Sequence, residues 1–172
     1  MATHDYSKYQ IPAFWDDEYR SLNYVQEKFN DEAQLDRWKK QGYNNVSTGY
    51  MCDMRNPQPS WNNKIVDFYA QRGWQNIGTS YYRMDTGAIL PTHSDLYAKY
   101  VKIFNLQGQE ETIRRAVIFL EDWQSGHYLE CNGDAIAEWT AGTAVEWTYD
   151  TPHMAFNMGT TPRYTLQVTG HL

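Results

Sequence analysis

The hydrophobic period of the chain changes near residue 76, and this change limits the fold more than any other feature. Before it, apolar residues recur at spacings of three and four. Phe14 to Phe29 carries Leu22, Val25 and Phe29 behind an acidic start at Asp16-Asp17-Glu18, which predicts a helix. Asp31 to Gln41, stopped by Gly42, predicts a second, and Trp61 to Arg72, with Ile65, Phe68 and Tyr69 on one stripe and Gly73 after it, a third. After residue 76 the runs are short and punctuated by turn residues. Strands are expected at Thr79–Met84, Tyr100–Phe104, Arg115–Leu120, His127–Cys131, Ala135–Thr140, Thr143–Tyr149, His153–Met158 and Arg163–Thr169, the last two as a hairpin. The run Ala116-Val117-Ile118-Phe119-Leu120 reads as a strand buried on both faces. Some eight closely spaced strands behind three helices imply a mainly β fold, a jelly roll, in one domain over 1–172, with 1–75 as helical support and 76–172 as the strand core. Residues 44–60, with Tyr50, Met51 and Met54, read as a loop with one strand, placed to act as a lid together with Trp61.

Seven Trp and fourteen Tyr in 172 residues suit such a fold with a lined cavity. A net charge of −6 counts against a phosphate backbone as partner. No apolar run approaches the roughly 20 residues that cross a bilayer. The polar stretch Met1 to Gln10 lacks the character of a secretion signal, and two cysteines outside any C-x-x-C pattern make no disulfide framework. A reducing, cytoplasmic setting is the expectation.

Within the strand region one set of residues carries chemistry. His93 and Asp95 are two apart, so on an extended segment both can reach one metal. Two imidazoles and one carboxylate hold a divalent iron on one side and leave the other open. The third ligand must come from elsewhere. Of five histidines, His4 and His171 lie near the chain ends and His127 follows a Ser-Gly turn, which leaves His153 as the natural partner and His127 as the fallback. Ten residues beyond His153 stands Arg163, sharing a strand face with Thr165 and Gln167. A guanidinium and a hydroxyl on one face can bind one carboxylate together. Pairing Met158 with Arg163 across a four-residue loop would put His153 roughly 16 Å from the turn, a span that an imidazole, a metal, a five-carbon diacid and an arginine can bridge. A surface ion pair is the competing reading of Arg163.

The order of Tyr82-Arg83-Met84, His93-Ser94-Asp95, His153 and Arg163-Tyr164-Thr165 resembles that of the Fe(II)/2-oxoglutarate-dependent dioxygenases, over Thr79 to Gly170. The small, aromatic-rich form is similar to short phage and bacterial members related to prolyl and aspartyl/asparaginyl hydroxylases, so a phage gene expressed in a bacterial host fits. The resemblance implies a double-stranded β-helix. It implies iron held by His93, Asp95 and His153, and 2-oxoglutarate anchored by Arg163 and Thr165, with Tyr82 a further cosubstrate contact. It implies O2 as oxidant, succinate and CO2 as products, and hydroxylation of a C–H bond in a peptide, protein side chain or amino acid. The presence of Asp95 counts against halogenation. Thr169, six positions after Arg163, stands where nucleic-acid demethylases of the family carry a second arginine, which counts against a DNA or RNA substrate. The alternatives are a cupin-like metalloenzyme without 2-oxoglutarate and a non-catalytic jelly-roll binding module. Tyr81, Arg83, Arg115, Trp147 and Asn157 are secondary candidates, each with core packing or hydrogen bonding as its plainer role.

Overall fold

Eleven strands in two antiparallel sheets and three α-helices make up residues 6–172, the part of the chain described by the computed structural model. The stretch Met1–Asp5, including His4, lies outside it. In chain order the elements are β1 (Tyr6–Gln10), β2 (Val25–Gln26), α1 (Glu32–Lys40), β3 (Tyr50–Asp53), α2 (Asn62–Gln71), β4 (Gln75–Met84), β5 (Ile89–His93), α3 (Ala98–Phe104), β6 (Ile113–Phe119), β7 (His127–Cys131), β8 (Asp134–Ile136), β9 (Thr143–Thr148), β10 (His153–Asn157) and β11 (Arg163–His171). The larger sheet runs β1-β9-β6-β11-β4-β3-β2 and the smaller β5-β10-β7-β8. This is the jelly roll expected from the strand spacing.

The larger sheet is buried on both faces, and the sequence shows how. Along β6, Ala116 and Ile118 turn outward, joining Leu166 and Val168 of β11 beneath Ile65 and Tyr69 of α2. Val117 and Phe119 turn inward with Val145 and Trp147 of β9, against Leu129 and Ala155 of the smaller sheet. Period two thus divides one continuous apolar run between two cores.

Four expectations are corrected. Residues 14–29 are not a helix but a 3₁₀ turn at Glu18–Ser21 followed by β2. Their acidic residues serve contacts elsewhere: Asp16 accepts from the Trp61 indole and Glu18 from the Ser60 backbone and hydroxyl. Tyr100–Phe104 is helical, within α3, because its apolar residues face Leu106, Ile113 and Tyr149 on one side only. β10 and β11 do not form a hairpin: β10 pairs with β5 and β7, β11 with β4 and β6, so His153 and Arg163 reach each other across the interior rather than along a ribbon. The division at residue 75 is crossed by β1, β2 and β3, all of which join the larger sheet. α1 and α2 stand where periodicity placed them, with Asp31 capping Gln34 N–H at the start of α1.

Candidate active site

His93 ends β5 and His153 opens β10, and the two are register partners. Two steps later along β10, Ala155 faces Leu90 rather than Pro91, so β5 carries one extra residue there. Such a bulge re-aims the residues beside it, and here it turns His93 toward its partner, the ring centroids 4.4 Å apart. The chain then leaves the sheet, tied by the Ser94 hydroxyl to the Asp150 carbonyl at 3.1 Å. Asp95 follows in this connection, beyond the strand on which it was expected.

The three side chains offer ligand atoms that all lie within 4.8 Å of one another. Nδ1 of His93 bonds the Pro91 carbonyl at 2.8 Å and Nδ1 of His153 the Thr151 carbonyl at 3.0 Å. A carbonyl can only accept, so each Nδ1 carries the proton and each Nε2 keeps its lone pair. Both Nε2 atoms face Asp95, at 3.9 and 3.8 Å, too long for hydrogen bonds and of a length that a bridging metal explains. Burial lowers the pKa of His93 to about 4, helped by the neighbouring His153, and lowers that of His153 also. Both rings are therefore neutral and ligand-competent near pH 7. Burial would raise the Asp95 pKa, but Arg115 and then the two imidazoles outweigh it and hold the carboxyl below its usual range. Its Oδ2 lies 3.1 Å from Nη1 of Arg115, off the line of a hydrogen bond, and is buried with no donor. The donor set, its tautomers and this orphaned oxygen fit a divalent iron.

Aromatic rings fix the two imidazoles. Phe29 and Trp38 meet His93 edge-on at 5.3 and 5.6 Å, and Trp147 lies 4.7 Å from His153. The Trp38 indole is itself anchored on the Thr92 carbonyl at 3.1 Å.

The triad opens into a cavity of about 840 Å³ between the sheets, which Arg163, Thr165 and Tyr82 also line. Arg163 is 8% exposed and reaches across to donate to the Tyr128 carbonyl at 2.6 Å, its Nε unpartnered. Among the described residues no carboxylate pairs with it, and burial lowers its pKa to about 10. Tyr128 faces Phe156, three residues from His153 along β10, so the guanidinium lies roughly 10 Å along the sheet from the triad. Thr165 stands beside it on the same inward face of β11. An uncompensated buried cation of this kind fits an anionic ligand in the cavity. Tyr82 lines the cavity, but its hydroxyl donates to Glu27 at 2.9 Å instead of pointing at the arginine.

The other candidates separate cleanly. Trp147 and Arg115 face the cavity, as do Met51 and Met54 from the expected lid. Tyr81 is a core residue donating to Asn62, Arg83 pairs with Asp85 and covers the Tyr50 ring, and Trp61 packs in the outer core. Asn157 is a structural hub bonded to the Met84 and Thr161 carbonyls and the Gly159 amide. His127 bonds the Thr161 carbonyl and takes no part in the triad. Sequence reasoning missed Glu27, Phe29 and Tyr97. The first two sat inside a predicted helix, and nothing in their spacing marks them.

No protein-family model matches the chain, and no curated protein sequence matches it. Solved structures do. A prolyl-4-hydroxylase from Pseudomonas putida superposes with a TM-score of 0.61 at 18% identity, covering 99% of this chain and 94% of that one. The fold is 2-oxoglutarate oxygenase-like. A second match, the non-heme α-ketoglutarate-dependent carbocyclase SnoK from nogalamycin biosynthesis, gives a TM-score of 0.53 at 14% identity over 89% of this chain and 81% of that one. At these identities the likeness is one of architecture. No helix among the described residues is long and apolar enough to cross a membrane, and Cys52 and Cys131 are both buried and unpaired.

Proposed function

We propose that the chain is an Fe(II)- and 2-oxoglutarate-dependent oxygenase that hydroxylates a C–H bond. The observation that carries this reading is one cavity holding a His93–Asp95–His153 ligand set together with a buried arginine, Arg163, that has no anionic partner. The overall conversion is R–H + O2 + 2-oxoglutarate → R–OH + succinate + CO2, in which the substrate carbon and the keto acid are oxidised and O2 is reduced. Iron, when bound, supplies the activation of oxygen. The residues do the rest. His93 and His153 present fixed lone pairs, and Arg115 keeps Asp95 ionised. Arg163 and Thr165 anchor the far carboxylate of the keto acid. Phe29, Trp147 and Phe119 keep water from the interior. The substrate is a small molecule, peptide or protein side chain entering from the open end.

Anaerobic calorimetry of the purified chain with Fe(II) and 2-oxoglutarate, followed by succinate measurement on admission of oxygen, tests the reading. The keto acid is expected to bind only with metal present, and His93→Ala to abolish both metal binding and succinate release. A chain that binds metal but not 2-oxoglutarate would fit the cupin-like alternative. Absence of both would leave only a binding module.

A further inference from the structure

The acidic groups lining the cavity pair off with one exception, while Lys28 and Lys99 line it beside the arginines. Asp95 has Arg115, and Asp53 has the exposed Arg55 on both its oxygens. Arg163 awaits an anion at the inner end. Glu27 is left as a half-buried carboxylate whose side chain has a single hydrogen-bond donor among the described residues, the Tyr82 hydroxyl on Oε2, and no cation in contact. A carboxylate withdrawn from water without a cation is unfavourable. Burial accordingly raises its pKa, an effect opposed by Tyr82 and by the more distant Arg115.

Glu27 is held in place. It follows β2 directly, which pairs with β3 through Val25↔Met51 and Gln26↔Tyr50. Its own carbonyl accepts from the Thr48 hydroxyl at 2.7 Å, and its amide donates to the Gly49 carbonyl. Gly49, at φ +88°, lies so close to the Arg83 carbonyl that a Cβ there would sit 2.6 Å from it, and this close approach is what lets the edge lie against β4. Across the sheet β2 is three strands from β11, about 14 Å. The backbone of Glu27 therefore lies toward the sheet edge, and its carboxylate reaches in to the hydroxyl of Tyr82 on β4.

We propose that Glu27, with one oxygen fixed by Tyr82, is the substrate-recognition carboxylate of the cavity and takes a cationic nitrogen, ammonium or guanidinium, on the molecule to be oxidised. As a statement about substrate this rests on the oxygenase reading, but the binding it requires can be measured without turnover.

The probes are cadaverine and agmatine as cations and 1,5-pentanediol as a neutral match in length, titrated into the intact chain by calorimetry. 2-Oxoglutarate with Mn(II) serves as a separate probe of the inner end. Wild type is expected to bind both cations and not the diol. Glu27→Gln, an isosteric change that keeps an acceptor for Tyr82, should weaken cation binding at least about tenfold. Near-ultraviolet dichroism checks that the variant is folded, and Glu27→Ala serves if it is not. Asp53→Asn, which removes a carboxylate already satisfied by Arg55, should change cation binding by less than about twofold. The proposal is overturned if Glu27→Gln binds the cations as wild type does, if pentanediol binds as well as cadaverine, or if Asp53→Asn costs as much as Glu27→Gln. Failure of 2-oxoglutarate to bind with Mn(II) would strike the oxygenase reading instead, and the cation titration distinguishes the two.

Discussion

Arg163 should weaken the empty protein and strengthen the loaded one. Burial lowers the pKa of the Arg163 guanidinium to about 10, well below its ordinary value, which is a penalty of about 3 kcal/mol in its charged form at 1.36 kcal/mol per tenfold. Its hydrogen bond to the Tyr128 carbonyl returns about 1 kcal/mol of that. Arg163→Met keeps the length of the side chain and removes the charge, so the ligand-free variant should gain about 2 kcal/mol. In a domain of this size that is a rise of several degrees in Tm. The same change removes the anchor for a dicarboxylate. Loss of one member of a buried charge pair costs about 2–5 kcal/mol, so 2-oxoglutarate with Mn(II) should bind at least about thirtyfold more weakly. Thermal melts with and without ligand would then cross: the variant more stable when empty, wild type more stable when saturated. An empty variant that melts several degrees lower and still binds 2-oxoglutarate like wild type would refute the reasoning, because Arg163 would then be a packing residue.

Other consequences follow from the same geometry. Folded His93 titrates near 4 and folded His153 also below the ordinary 6.5, so between about pH 6.5 and 4 the unfolded chain binds protons that the folded chain does not. The metal-free protein should lose stability as pH falls through that window, by about 3 kcal/mol from His93 alone. Urea titrations at stepped pH check this, and His93→Asn should flatten the slope. Arg115→Met leaves Asp95 buried without its counter-charge, which should cost the metal-free protein about 3–5 kcal/mol. A divalent ion replaces that charge, so Mn(II) should raise the Tm of the variant more than that of wild type. Gly126 adopts φ +91°, and a Cβ there would run into the Gly159 backbone beside the β10–β11 connection. Gly126→Ala should cost more than about 2 kcal/mol in chemical denaturation.

The strand region was legible because its signals are local. Period two, the Asn132-Gly133 turn and the apolar run in β6 each constrain only their neighbours, and all three hold. The clustering of His93, Asp95 and His153 was legible for the same reason: H-x-D is local, and with five histidines few could complete it. What escaped was set by contacts distant in sequence. β5 contains Pro91, which speaks against a strand, and it survives because a bulge absorbs the proline opposite β10. Residues 14–29 have a helical spacing of apolar groups, yet Trp15 and Tyr19 are drawn instead to Trp61 and Tyr164. The partner of Asp95 could not be read because Arg115 reaches it from β6 in the other sheet. Tyr82 is a cavity residue, as the sequence suggested, but its hydroxyl is committed to Glu27, a residue that only the β2–β3 edge brings into range.

One strand sets the scale of the whole site. Along β11, Arg163, Thr165, Gln167 and Thr169 face inward in turn, and six residues of extended chain place the first about 20 Å from the last. Arg163 occupies one end as a cation in search of an anion. Toward the other end Gln167 accepts from Arg115 at 2.8 Å, and Arg115, the register partner of Thr169, holds Asp95. Arg163 on β11 and Arg115 on β6 thus sit on neighbouring strands in fixed register, with β4 pairing β11 on its other side. That register sets their separation, and a slip of β11 by one residue would turn Arg163 and Gln167 into the outer core at once. In the smaller sheet His93 ends the edge strand β5 beside a bulge, so under the proposed function adjustment to a metal would fall on that strand. Under the proposed function the physical division is between a larger sheet that would hold the cosubstrate and a smaller one that would hold the metal.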